Sequence, residues 1–232
     1  MRPDRSLGTP ILLAVAALLS AAAVAMLLIR ADQVGGLRFG FLVWNLVLAW
    51  VPLPFAVLVR ALQRRKAPAV LFLLPALPWL AFLPNAPYLI TDFVHLRPRD
   101  GVPLWADAAL IGTFAVAGLM VGLVSLHLVH QALHDRFGPL VGWISVAGFV
   151  LLSAVGVYVG QALRFNSWDL LHRFDELLGL AMIRLADPLG NPALLQLVGA
   201  MLVLLAGGYV LFHLAWLGLR RVSRPVRVKA TG

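Results

Sequence analysis

Asp92 and His95 stand three residues apart, a spacing that puts both side chains on one face of a helical turn and suits an acid–base pair or two metal ligands. Asn85, Tyr88 and Thr91 precede them, Asp107 follows, and a second polar group, Arg164, Asn166, Trp168 and Asp169, comes later in the chain. Asp92, His95, Asp107 and Asp169 are the candidate catalytic residues, since carboxylates and an imidazole can move protons. Asn85, Tyr88, Arg164, Asn166 and Trp168 are candidate ligand-binding residues, with Arg164 and Asn85 suited to an anionic headgroup. As metal ligands Asp92 and His95 are only two, and Asp107 or Asp169 would have to complete the set, so no metal or other cofactor is assigned. The chain has no cysteine, which excludes disulfides, thiolate metal sites and cysteine nucleophiles.

A second cluster competes with this one. His127, His130 and His134 form a single helical stripe followed by Asp135, and imidazoles so arranged can bind a transition metal. Histidine beside Asp135 and Arg136 is also ordinary at a membrane interface. The loops at that end offer no further histidine or acid as a ligand, so the stripe is read as interfacial.

What positions these residues follows from composition. Of 232 residues, 61% are hydrophobic and 12% charged, with a mean hydropathy of +0.91. Soluble domains carry about twice that share of charge, so lipid is the solvent for most of this chain. The net charge of +9 does not indicate nucleic acid, because the basic residues sit between apolar runs rather than on one solvated face. Crossing a bilayer takes roughly 20 apolar residues in a helix. Six spans satisfy this, at about 8–29, 39–59, 68–90, 108–130, 140–163 and 192–219, followed by a basic tail at 220–232. None alternates with period two, which excludes a membrane barrel. The expected fold is all-α: one integral membrane domain over 1–232, a polytopic bundle of six transmembrane helices. The first run resembles a signal peptide with small residues near its end, but its apolar stretch is too long for one.

Six spans put both termini on one side. That side carries twelve of the 19 Lys and Arg residues, including Arg64, Arg65 and Lys66, which makes it cytoplasmic. The tail, Arg220 to Lys229, is expected to lie on anionic lipid. Acids divide the other way, so carboxylates cluster only in the outer loops. Between the fifth and sixth spans, apolar positions from Leu170 to Leu185 recur at helical spacing among charges, which predicts an amphipathic helix in the plane of the outer surface.

The third span holds Pro68, Pro75, Pro78, Pro84 and Pro87. Its outer end is either irregular backbone lining a polar cavity or a plain helix end at Pro84. Asn45, an amide within the second span, needs a partner on another helix. Gly118 with Gly122, and Gly156 with Gly160, have the small-residue spacing that predicts a tight hairpin of the fourth and fifth spans. Asn166 can cap a helix that carries Asp169 near its positive end.

Trp44-Asn45-Leu46, the run Pro84-Asn85-Ala86-Pro87-Tyr88 with Thr91-Asp92 and His95-Leu96, and Arg164-Phe165-Asn166-Ser167-Trp168-Asp169 resemble the multi-pass family catalogued as domain of unknown function 1361, over about 39–187. The resemblance implies a bacterial inner-membrane protein and assigns no activity or catalytic residue. Three functions remain open. The first is a structural or accessory protein whose outer polar cluster ties helix ends together or meets a periplasmic partner. The second is a membrane-embedded enzyme, metal- or acid/base-dependent, acting on a lipid or lipid-linked substrate at the outer face. The third is a small transporter, against which stand the lack of an internal repeat and of mid-membrane charges. Nucleotide, zinc-protease and serine-hydrolase motifs are absent. Asn85, Asp92, His95, Asp107, Arg164 and Asp169 are expected to share one outer cavity, with Arg164 paired to Asp92 or Asp169.

Overall fold

The computed structural model describes residues 8–98, 101–187 and 189–222. Every regular element among them is helical, as lipid requires of a chain that must satisfy its own backbone. Six stretches are long and apolar enough to cross a bilayer: Thr9–Val34, Phe41–Arg64, Ala69–His95, Leu104–Phe137, Pro139–Ala162 and Pro192–Leu219. The protein is an all-α multi-pass membrane bundle. Arg2, Arg5, Arg99 and the tail beyond Val222, expected to lie on anionic lipid, fall outside the described residues.

The first span is α1 (Gly8–Val34) and the second is α2 (Phe41–Trp50) continued by α3 (Pro52–Arg64). At the join Pro52 has no N–H, and the Val51 amide turns to the Leu48 carbonyl at 3.3 Å. The third span is assembled from pieces: a 3₁₀ turn (Ala69–Phe72), α4 (Leu73–Phe82), α5 (Asn85–Tyr88) and a second 3₁₀ stretch (Leu89–His95). Its outer end is therefore irregular backbone rather than a plain stop at Pro84: a turn at Leu83 and Pro84 leads into short helical pieces, and Pro84, Asn85 and Tyr88 line a polar cavity. After that turn the chain is helical again to His95, without a continuous ladder past Pro84 and Pro87.

The fourth span, α6 (Leu104–Phe137), and the fifth, α7 (Pro139–Ala162), form the expected hairpin around Gly138, whose φ of 92° only glycine adopts without strain. The glycine pairs, however, face a different partner from the one their spacing predicts. A Cβ at Gly122 would stand 2.5 Å from that of Ala86, and one at Gly156 would stand 2.5 Å from Pro84 Cγ. Gly118 meets the Ala86 carbonyl and Gly160 meets the Tyr88 ring. Both pairs seat the broken third span against the hairpin, because α5 is short and small enough at Ala86 to approach two helices at once.

α6 is the centre of the bundle, with α1, α3, the third span and α7 packed on it. One core cluster, around Leu27, Phe39, Leu89 and Phe114, lies toward the Arg164 end; another, around Trp79, Val124, Val129 and Tyr209, extends toward the His130 end. The expected in-plane helix is broken at Arg173 into α8 (Asp169–His172) and α9 (Phe174–Ala186). Phe174, Leu178 and Met182, spaced one turn apart on α9, are exposed, the stripe that an interfacial helix turns to lipid. The last span begins α10 (Pro192–Val222), which packs mainly on α7.

Candidate functional site

At the Arg164 end, α2, α4, α5, α7 and the loop after α7 enclose a cavity of about 890 Å³, with Leu177 of α9 at its edge. Its floor is apolar, from Leu48, Leu77, Leu80, Leu152, Val155 and Val159. Its upper wall is polar and carries cations: Asn45, Asn85, Tyr88, His95, Arg97, Gln161, Arg164, Asn166 and Ser167. Among the described residues, no carboxylate lines it.

The wall is tied together by side chains from distant parts of the chain. Asn85 donates from Nδ2 to Ser167 Oγ at 2.8 Å and to the Phe82 carbonyl at 2.9 Å, joining the broken span to the loop after α7. Thr91 Oγ1 donates to the Tyr88 carbonyl at 2.6 Å and lies 3.1 Å from Gln161 Oε1. Asn45 faces the cavity and donates to Asp92 Oδ2 at 3.0 Å, so the amide that needed a partner helix has one.

Five of the nine candidate residues line the cavity: Asn85, Tyr88, His95, Arg164 and Asn166. The other four do not. Asp92 is 2% exposed and sits behind Asn45. His95 is exposed and rests edge-on against Phe41 at 4.9 Å, so the pair that shares a helical face divides between interior and rim. Asp107 is claimed by a residue the spacing argument did not weigh: Arg30, near the end of α1, meets it with both nitrogens, Nε to Oδ1 at 2.5 Å and Nη2 to Oδ2 at 3.1 Å. The pair is buried, at 8% exposure for Arg30 and 2% for Asp107, and the guanidinium also lies 4.6 Å over the Phe39 ring. Asp169 turns back and accepts the Asn166 amide at 2.7 Å; Asn166 caps nothing, and α8 starts without a side-chain cap. Trp168 is exposed outside the cavity wall.

The expected ion pair of Arg164 is consequently not formed: among the described residues, no acid stands within ion-pair distance of it. Each nearby carboxylate has already been answered elsewhere. Arg164 also holds φ of 58°, in the left-handed region where α7 ends and where glycine is the usual residue. The Phe165 amide closes this turn on the Val159 carbonyl at 3.3 Å, and the Phe165 ring is buried beneath the Arg173 guanidinium at 4.5 Å. The chain thus accepts a strained conformation that leaves a guanidinium at the cavity mouth. Strain of this kind collects at ligand sites.

Sequence reasoning missed Arg97, Gln161 and Ser167 in the wall and Arg30 as the partner of Asp107. Gln161 had a usable signal, since it lies one turn before Arg164 at the same helix end. The Asp92, His95, Asp107 and Asp169 quartet is not gathered as a metal site; among the described residues, the group spaced for an ion is three histidines at the opposite end of the bundle.

A model of the family described as "Protein of unknown function (DUF1361)" matches residues 44–206. That stretch contains every residue of the cavity wall, from Trp44 to Leu177. No curated protein and no solved structure matches the chain.

Proposed function

We propose, from the premise that this chain belongs to the DUF1361 family, that it is an accessory protein of the bacterial cytoplasmic membrane that holds an anionic amphiphile in the cavity at its outer face. The observation that carries this reading is the division of the cavity: an apolar floor for acyl chain, and a mouth where Arg164 and Arg97 stand with no acid among the described residues of the wall. A phosphate or carboxylate headgroup there would take charge-assisted hydrogen bonds from the guanidinium groups, while its chain replaces lipid contacts below. Asn166 and Ser167 can supply neutral donors around the same point, while Asn85, with both amide protons taken, holds Ser167 in place. Holding is favoured over catalysis because the carboxylates expected to do acid–base work are turned away from the cavity. The mouth is assigned to the outer face, with both termini cytoplasmic, on the distribution of basic residues.

Two experiments test the reading. Purified in mild detergent, the protein should retain a phospholipid or lipid-linked molecule visible by native mass spectrometry. The double substitution Arg97→Gln with Arg164→Gln should weaken retention by about tenfold or more, the loss of one charge-assisted hydrogen bond. Equal retention by folded wild type and variant would overturn the proposal. For orientation, reporter fusions after Lys66 and after Gly232 should read cytoplasmic, and a periplasmic signal at the C-terminus would reverse the assignment of faces.

A further inference from the structure

At the other end of the bundle, three imidazoles converge. His127 and His130 lie one turn apart on α6, and α10 brings His213 to them, so that one ring nitrogen of each lies within 4.8 Å of the others. The stripe read from sequence had His134 as its third member; the structure replaces it with a histidine from the last span. The three ring centroids stand 6.3, 5.5 and 5.6 Å apart, a near-equilateral triangle. Zinc–imidazole bonds of about 2.0–2.1 Å at tetrahedral angles put ligand nitrogens about 3.4 Å apart, so closing on an ion needs only small side-chain rotations.

We propose that His127, His130 and His213 are a transition-metal site, with Zn²⁺ the ion that three neutral imidazoles and no thiolate suit best. Two observations independent of the spacing point to a ligand. His130 is 3% exposed, yet among the described residues its Nε2 has no hydrogen-bond partner, and neither does the buried Nδ1 of His213; unpaired buried ring nitrogens are costly unless something binds there. The second is the surrounding shell. Tyr209 places its hydroxyl 2.6 Å from His130 Nδ1 and 3.3 Å from His127 Nδ1, and Gln131 Nε2 lies 3.0 Å from His127 Nε2, contacts that orient the two rings. Trp143 lies against the His130 ring at 4.8 Å and Trp216 against the His127 ring at 4.3 Å, screening the cluster from lipid. His134, exposed at the surface beside Asp135, has its ring 6.1 Å from that of His130 and stands outside the triangle. Bound there, the ion would cross-link the central helix to the last span, which otherwise packs mainly on α7.

The test uses the full chain, purified through a tag without histidine, stripped with chelator and titrated with Zn²⁺ in detergent. One zinc per chain should bind, measured by elemental analysis after gel filtration, and should raise the thermal unfolding midpoint. Co²⁺ in its place should give the visible absorption of a four-coordinate ion. His213→Ala should weaken binding at least tenfold while His134→Ala leaves it unchanged. If His213→Ala does not fold, His130→Gln serves as the second ligand variant. Failure of the wild type to bind Zn²⁺ or Co²⁺, or unaltered binding in a folded ligand variant, overturns the proposal. None of these readouts depends on lipid retention, so this proposal and the proposed function stand or fall separately.

Discussion

Two arginines at the same end of the bundle are handled in opposite ways. Arg30 is buried in ordinary helical backbone, and Asp107 answers it through two hydrogen bonds. Arg164 is exposed, strained at φ of 58° and unanswered by any acid among the described residues. A charge taken out of water persists only when a partner of opposite sign meets it, and a partner so placed has no capacity left for a ligand. An arginine that works as a receptor has to be kept clear of acids. The chain does this by spending Asp107 on Arg30, turning Asp92 to Asn45 and folding Asp169 back on its own backbone.

Separating Arg30 from Asp107 has the largest expected effect. Asp107→Leu alone should destabilise by about 3–5 kcal/mol, because it leaves a buried guanidinium uncompensated, whereas Arg30→Leu combined with Asp107→Leu should recover most of the loss. Unfolding of purified protein in mixed micelles measures both, and equal damage from single and double variants would refute the pairing argument. The next effect concerns the wall that holds Arg164 in place. Gly156→Ala puts a methyl against Pro84 in a packed contact and should cost about 1–3 kcal/mol in the same assay, with loss of bound amphiphile.

A smaller effect carries the sharper distinction. Arg164→Gly removes the left-handed strain and should leave the protein as stable as wild type or more so, by up to about 1 kcal/mol, while amphiphile retention falls. Stability and binding that fall together would mean that Arg164 is structural, as Arg30 is. Smallest of all is the exposed pair of Arg173 and Glu176 on the in-plane segment. Glu176→Gln should leave unfolding unchanged within error, since solvent already screens both charges.

The spans were legible because charge-free runs have few alternatives in lipid, and the cavity's polar rim was legible because Asn85, Tyr88, His95, Arg164 and Asn166 all sit at helix ends that six-span topology places together. Their pairings were not legible. Asp107 finds Arg30 across 77 residues, a match set by which face α1 turns to α6, and no spacing rule contains that rotation. The glycine pairs were recognised as contact surfaces, but their partner was misjudged, because a small residue reports close approach without saying of what. His213 was not legible for a related reason: the loops at that end hold no further histidine, and this one comes from within the last span.

α6 has a further consequence for the membrane around it. Its 34 residues run without a proline from Leu104 to Phe137, a length of about 51 Å at 1.5 Å per residue, against about 40–45 Å for a whole bilayer including headgroups. Asp107 and His130 are fixed on this rod about 35 Å apart by the same rise. A change in bilayer thickness therefore meets α6 as one rigid element, and in a thinner bilayer it has to tilt rather than shorten. A tilt moves both of its ends together, so bilayer thickness becomes a variable that the cavity and the histidine cluster experience at the same moment, although no side chain connects them.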